Sequence, residues 1–189
     1  MAVIIRKYKS EDRESCRKIC IETAAPDRVK TEKQRQSLVT VYSDSYVDFE
    51  KNICFVAEED GHVVGYILCA PDTQAYCKNA MRHHIRPMLK TDPVTALLTM
   101  GEFAAYRFLA KRRSAHMHID ILPSHQRMGI GTRFVNALLE ELRTQSVNGL
   151  FLITDTGNKK GPRFYEKYGF NLSYKVFFAL VYTIDFEHE

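Results

Sequence analysis

Gln126-Arg127-Met128-Gly129-Ile130-Gly131-Thr132 follows an apolar strand pattern and opens a long amphipathic helix. Backbone N–H groups at a helix N-terminus have no partner within the helix, and the helix dipole adds a partial positive charge there. Glycine lacks a Cβ atom, so an anion can approach these groups closely. The stretch therefore predicts a site for a phosphate-bearing ligand.

A second motif stands one element later in the chain. It consists of Asn158, Phe164-Tyr165 and Gly169-Phe170. The amide of Asn158 and the phenol of Tyr165 are polar groups that can form hydrogen bonds, and a phenol can donate a proton to a leaving group. The two motifs together predict a site for a pyrophosphate-bearing acyl carrier, with an acid near its reactive end.

The chain around these motifs alternates between strand and helix patterns. This order predicts an α/β protein with a mixed central sheet of about seven strands and helices on both faces. The basic segment 71–113 reads as a helical insertion or lid before the fourth strand. Strands are predicted at 3–8, 53–57, 63–70, 115–122, 150–154, 170–174 and 177–184, and helices from Ser10 and at about 27–50, 73–90, 93–111, 129–144 and 162–168.

Composition narrows the class of protein. The 189 residues are 45% hydrophobic and carry a net charge of +4, which suits an anionic ligand but does not indicate nucleic-acid binding. No apolar run is long enough to span a membrane, and the N-terminus lacks the pattern of a signal peptide. The five cysteines form no disulfide framework, so we expect a cytoplasmic protein. Cys16 and Cys20, one helical turn apart, favour a buried helix face over a metal site.

Two other phosphate loops fit the glycine turn less well. A Walker A loop requires a Gly-Lys-Ser/Thr ending, which this chain lacks. A dinucleotide fingerprint requires a third glycine where Phe134 stands, although Asp155 mimics the ribose-binding acid. Only 58 residues follow Gly131, too few for a doubly wound nucleotide domain.

The motifs Gln/Arg-x-x-Gly-x-Gly and Asn-x5-Phe-Tyr-x3-Gly-Phe resemble those of the GCN5-related N-acetyltransferase (GNAT) family. The resemblance implies a single GNAT-like domain over 1–189. The segments 57–66 and 115–123 also look like the acetyltransferase-like domain of O-GlcNAcases and its free-standing bacterial relatives. Some of those domains are thought not to bind the cofactor, but the intact glycine turn favours binding here.

The resemblance also implies the cofactor, acetyl-CoA, and the residues that hold it. The strand before the glycine turn would splay from its neighbour and pair with the pantetheine arm. Tyr165 matches the general acid of the family, although its ring alone could matter for packing. The implied cofactor-binding residues are Ile121, Leu122, Arg127, Met128, Gly129, Ile130, Gly131, Thr132, Asn158 and Tyr165.

An amine acceptor must lose a proton to become a nucleophile, because its pKa is about 10.4. Asp120, near the end of a strand, is the first candidate for the base, and His116 and His118 on the same face could relay protons. An equally strong alternative is that this polar face has no catalytic role and merely lines the sheet or anchors the insertion. Zinc bound by these three residues is not favoured, since no further ligand is evident, and no metal is expected.

We therefore expect an N-acetyltransferase that moves an acetyl group from acetyl-CoA to an amine by direct transfer in a ternary complex. The rival is a cofactor-binding or degenerate module that regulates a partner without catalysis. The acceptor, a small molecule or a peptide, is left open. Neither nucleic acid nor a membrane is expected as partner, and the C-terminal strands could pair across a homodimer.

Overall fold

A computed structural model describes residues 2–186, which build one seven-stranded sheet. The strand order is β1-β2-β3-β4-β5-β7-β6. The pair β4–β5 is parallel and the other pairs are antiparallel. The strands are β1 (Ile4–Lys7), β2 (Phe55–Glu59), β3 (His62–Ala70), β4 (Ala115–Ile121), β5 (Gly149–Asp155), β6 (Asn171–Val176) and β7 (Ala179–Asp185).

Helices cover both faces of this sheet. One face carries α1 (Arg13–Thr23), α2 (Glu32–Val39), α3 (Ser45–Phe49), α4 (Thr73–Ala80), α5 (Arg86–Met88) and α6 (Pro93–Leu109), and the other carries α7 (Ile130–Arg143) and α8 (Gly161–Tyr168). Alternation along β3 divides the core accordingly. Tyr66 and Leu68 pack under the first group, while Ile67 and Cys69 pack under the second. Because β3 is buried on both faces from Val64 onward, apolar residues dominate that part of the strand.

Two predicted helices are composite. A π-helical segment, Thr40–Asp44, joins α2 to α3, and a second, Met81–Ile85, joins α4 to α5. The helical run predicted at 73–90 thus exists, whereas the run predicted at 27–50 begins only at Glu32, and both have a widened turn at the centre. The start of α6 follows ordinary capping chemistry, because the Asp92 side chain accepts the Thr95 N–H and Pro93 fills the first helical position.

The predicted Asp-Gly hairpin is present between β2 and β3. Asp60 and Gly61 have φ angles of 52° and 79°, as a two-residue turn with a left-handed backbone requires. Strand β2 begins at Phe55, two residues later than predicted, because Lys51–Ile53 form a short 3-10 turn.

The predicted fold class is confirmed: an α/β domain whose mixed sheet of seven strands has helices on both faces. The segment α4–α6 lies between β3 and β4, as the insertion was expected to. That the domain extends over all of 1–189 stays a prediction. None of the described helices combines the length and the apolar character needed to cross a lipid bilayer.

Candidate active site

Strands β4 and β5 separate along their length. They pair at Ala115–Leu150 and His116–Phe151 and at no later described position. Beyond that point β4 continues beside β3, as far as the pair of Ile121 with Gly65, and β5 continues beside β7. A cleft therefore opens between the carboxyl ends of the two strands, which is the splay that the resemblance implied.

The glycine turn lies at one end of this cleft. Gly129, the N-cap of α7, has a φ angle of 77°, and the exposed Arg127 has 66°. A Cβ atom on Gly129 would meet nothing within 4 Å, so the space in front of the turn is open. The Arg133 N–H reaches the Gly129 carbonyl at 3.1 Å, which leaves the N–H groups of residues 130–132 ahead of the helix's hydrogen-bond ladder. The turn can therefore accept an anion.

The second glycine has a packing role as well. A Cβ atom on Gly131 would lie 3.0 Å from the ring of Phe164 on α8. Gly131 therefore lets the two motifs pack together at close range. The side chain of Ile130 is buried in the core, so this residue can serve a ligand only through its main chain, whereas Met128 and Thr132 are exposed.

Asn158 organises the loop between β5 and α8. Its Oδ1 accepts the N–H groups of Lys160 (3.2 Å) and Gly161 (2.9 Å). Its Nδ2 donates to Thr154 Oγ1 at 3.0 Å. Asn158 thus holds the start of α8 against the end of β5, and its predicted contact with the pantetheine arm stays a prediction.

Gln126 spans the mouth of the cleft, a role that the sequence did not reveal. Its Nε2 donates to the Ile121 carbonyl at 3.1 Å, and its Oε1 accepts Lys160 Nζ at 3.0 Å. The Leu122 N–H is bonded to the Val64 carbonyl at 3.0 Å. The Ile121 carbonyl and the Leu122 N–H, two of the backbone groups predicted to meet the arm, thus already have protein partners.

Tyr165 lies on α8 with its ring in the core. Its side chain is 6% exposed and packs against Phe164, Phe170 and Tyr182, at ring-centre distances of 5.4, 6.0 and 5.3 Å. Burial raises the pKa of Tyr165 well above its usual 10, and the charge of Asp120 adds to this effect. The phenol therefore keeps its proton at neutral pH, as a general acid must.

Asp120 lies in a polar cluster on the α1 side of the sheet. Its Oδ2 accepts the Tyr66 hydroxyl at 2.6 Å and lies 3.1 Å from His118 Nε2. The ligand atoms of Cys20, His118 and Asp120 all lie within 4.8 Å of one another. Burial, and next the nearby Asp120 carboxylate, raise the pKa of Cys20 to about 12, so the thiol is protonated. The cluster offers a carboxylate oxygen that could accept a proton.

Tyr66 and Cys20 were not among the sequence-predicted site residues. Tyr66 lies directly opposite Asp120 in the antiparallel pair β3–β4, but the insertion between these strands hides that register from the sequence. Cys20 reaches the cluster from α1, a packing that no local pattern records.

His116 does not act with His118 as the predicted relay required. It is 1% exposed and lies among the rings of Tyr46, Tyr76, Tyr106 and Phe151. Thr73 Oγ1 donates to the Ser114 carbonyl and lies 2.8 Å from His116 Nδ1, so Nδ1 carries the ring proton. Its Nε2 has no hydrogen-bond partner among residues 2–186, and burial lowers the pKa of His116 to about 3. His116 is a neutral core residue, and it also lies outside the cluster that a zinc ion would need.

The helical segments before β2, together with the insertion, form a wall beside this cluster. The Tyr42 ring lies 5.3 Å from that of His118, and its hydroxyl donates to Glu102 Oε2 on α6 at 2.8 Å. The guanidinium of Arg28 lies 4.9 Å from the Tyr42 ring centre. Charged groups of both signs therefore surround the approach to His118 and Asp120.

A family model described as the Acetyltransferase (GNAT) family matches residues 21–170. The chain belongs to the GNAT family. The match includes the cleft, the glycine turn and Tyr165, so the sequence-based recognition of this family is confirmed. The narrower likeness to O-GlcNAcase-associated domains stays a prediction.

Solved structures agree with this assignment of the fold. SsHAT superposes with a TM-score of 0.84 at 23% identity, over 98% of both chains. PaiA N-acetyltransferase from Thermoplasma acidophilum, in complex with coenzyme A, gives 0.64 at 15% identity, over 98% of this chain and all of that one. YncA from Salmonella typhimurium, with its cofactor acetyl-CoA, gives 0.61 at 16%, over all of this chain and 96% of that one. The predicted cofactor is thus confirmed at the level of the family.

Proposed function

We propose that this GNAT protein is an acetyl-CoA-dependent N-acetyltransferase that acts by direct transfer in a ternary complex. The observation that carries the proposal is the cleft between β4 and β5 with the glycine turn at its end, where β4 carries the candidate base Asp120 and α8 carries the candidate acid Tyr165. A binding module would need the turn but would have no use for a candidate acid and a candidate base on the elements beside it.

The residues at the turn fit a diphosphate. Gly129 leaves open space in front of the unpaired N–H groups of α7, and the exposed Arg127 can add positive charge. Such hydrogen bonds to a charged group contribute about 1.5–3 kcal/mol each. Bound there, acetyl-CoA supplies an acetyl thioester whose carbonyl carbon can accept an amine nitrogen.

Asp120 and Tyr165 would handle the two protons of the reaction. Asp120 takes a proton from the acceptor amine, directly or through His118, whose Nε2 lies 3.1 Å from its Oδ2. Tyr66, at 2.6 Å from the same oxygen, holds the carboxylate in place. Tyr165, which is protonated at neutral pH, gives its proton to the departing sulfur.

The acceptor would approach from the α1 side, between Asp120 and the insertion. The carboxylates of Asp120 and Glu102 favour a cationic amine, and the Tyr42 ring lies beside them, already in contact with His118 and Arg28. This chemistry suits a small amine or a peptide amine. We place the enzyme in the cytoplasm, in accord with five buried free thiols, and propose neither nucleic acid nor a membrane as partner.

Calorimetry with acetyl-CoA, followed by detection of free thiol across a panel of small and peptide amines, tests the proposal. We expect binding and amine-dependent thiol release. Failure to bind would overturn the assignment of the cofactor. Binding without acetyl transfer to any amine would overturn catalysis and favour the regulatory module.

A further inference from the structure

Helix α6 has an outer face that is apolar from end to end. Val94, Leu97, Leu98 and Phe108 are 67%, 62%, 71% and 64% exposed. Gly101, Ala104 and Ala105 are exposed on the same face, and the exposed Arg107 lies at its border. The opposite face of the helix, with Phe103 and Tyr106, is buried in the core. A continuous apolar stripe of this kind on a surface helix marks an interaction site. We call these seven residues the α6 stripe.

Nothing in the described part of a single copy requires glycine at position 101. It lies in the middle of a helix of 17 residues, where glycine costs about 0.5–1 kcal/mol relative to alanine. Its φ angle is not left-handed, and a Cβ atom there would meet nothing within 4 Å. Neither backbone conformation nor packing inside the chain calls for glycine. The absence of a side chain instead allows another backbone to approach the middle of the stripe.

The α6 stripe is symmetric about Gly101. Val94 and Phe108 stand seven residues to either side, Leu97 and Ala105 four, and Leu98 and Ala104 three. When a helix crosses its own copy in antiparallel fashion, residues equidistant from the crossing point face each other. Each leucine would then face an alanine of the other copy, with the two glycines at the crossing, so that large groups fill the space beside small ones.

We propose that the α6 stripe is the interface of a homodimer, in which two copies of α6 cross antiparallel at Gly101. A twofold interface must be complementary to itself, which this arrangement satisfies. Antiparallel packing also places the helix dipoles favourably. The stripe offers on the order of 600 Å² per copy, and the resulting total of about 1,200 Å² is at the lower limit of specific interfaces. An interface at this limit suits a weak dimer, and we expect a dissociation constant in roughly the micromolar range.

A second exposed apolar surface, the turn between β6 and β7, provides the contrasting variant. Phe177 and Phe178 are 91% and 79% exposed there. The C-terminal strands were expected from the sequence to pair across a dimer, so this turn is the rival interface. The exposed residues at this turn are not placed symmetrically about a central glycine, as those of the α6 stripe are about Gly101.

Sedimentation equilibrium over about 1–200 μM protein, chosen to bracket a micromolar constant, tests the proposal. We expect wild type to dimerise, Leu98→Glu to raise the dissociation constant at least about tenfold, and Phe177→Glu to leave it unchanged. Gly101→Ala should weaken the dimer while raising the melting temperature of the monomer. Wild type that stays monomeric would overturn the proposal and leave the stripe to another protein or a lipid surface, and so would dissociation by Phe177→Glu alone.

Cross-linking tests the antiparallel register. All five native cysteines are buried, so introduced thiols react selectively. Leu98→Cys combined with Ala104→Cys should give disulfide-linked dimers on oxidation. Within one helix these positions are about 9 Å apart along the axis, too far for an intramolecular bond. Each single variant is the matched control and should cross-link far more slowly. Equal cross-linking of the double and single variants would overturn the register, and with it the proposal.

Discussion

Gly129→Val tests whether the glycine turn binds the coenzyme. The substitution strains the backbone and also fills the space in front of the turn. The same substitution at a second glycine, Gly61, separates these two effects. Gly61, in the hairpin turn between β2 and β3, has a φ angle of 79° against 77° for Gly129, and a Cβ atom at either position would meet nothing within 4 Å. The two substitutions therefore impose the same backbone strain at different places on the fold.

The strain costs about 1–2 kcal/mol in each variant, because an L-residue in the left-handed region brings Cβ close to the carbonyl oxygen. For a chain of this size, that lowers the melting temperature by roughly 2–8 °C. At Gly129 alone, the added methyl groups also occupy the space in front of the unpaired N–H groups of α7. Losing one or two hydrogen bonds to a diphosphate, at about 1.5–3 kcal/mol each, weakens coenzyme binding at least about tenfold.

Calorimetry with coenzyme A and thermal unfolding should be measured on both variants. We expect similar losses of stability but weakened coenzyme binding only in Gly129→Val. If Gly129→Val bound coenzyme A as tightly as Gly61→Val, the cofactor would lie elsewhere. The reasoning about the turn would then be refuted.

Three further outcomes follow from the site. Tyr165→Phe should lower turnover about 100-fold while coenzyme affinity stays within about twofold, because the ring packing is kept; Tyr182→Phe, measured beside it by thiol release, should keep its turnover. Asp120→Asn should lower kcat/KM about 100-fold at pH 7 but much less at a pH above the pKa of the acceptor amine, where no base is needed; an equal loss at both pH values would exclude Asp120 as the base. Folding lowers the pKa of His116 from 6.5 to about 3, so between these pH values the unfolded chain binds a proton that the folded chain does not. The free energy of unfolding therefore falls as the pH drops below about 6.5. Urea unfolding should show wild type losing about 2 kcal/mol more than His116→Phe between pH 6.5 and 4.5, and equal losses would contradict a neutral buried ring.

The fold could be predicted because its signals are local. Asp60-Gly61 specifies a hairpin turn through its left-handed backbone, and the apolar periodicity of α7 specifies an amphipathic helix against the sheet. The anion site at the glycine turn could be predicted equally well, since the residues that start α7 also leave its first N–H groups unpaired. The widened turns at Thr40–Asp44 and Met81–Ile85 have no comparable local signal.

The polar side of the site was only partly predictable, because it depends on contacts between distant elements. His116 and His118 alternate identically along β4, yet the first is enclosed by aromatic rings and the second reaches Asp120. The packing of the insertion decides between them, and periodicity cannot report that packing. Gln126 was part of the recognised motif, but its bonds to Ile121 and Lys160 depend on where α8 lies.

The bridge formed by Gln126 has a consequence for the protein before it meets its coenzyme. Where β4 leaves β5, its backbone resembles the edge of a sheet, which invites strand addition by other chains and aggregation. The Gln126 amide satisfies the Ile121 carbonyl at this opening, and Lys160 secures the amide from the far side. The Gln126 amide thus protects this strand edge from pairing with other chains. A ligand can replace the amide there by exchanging the Gln126–Ile121 hydrogen bond for one of its own.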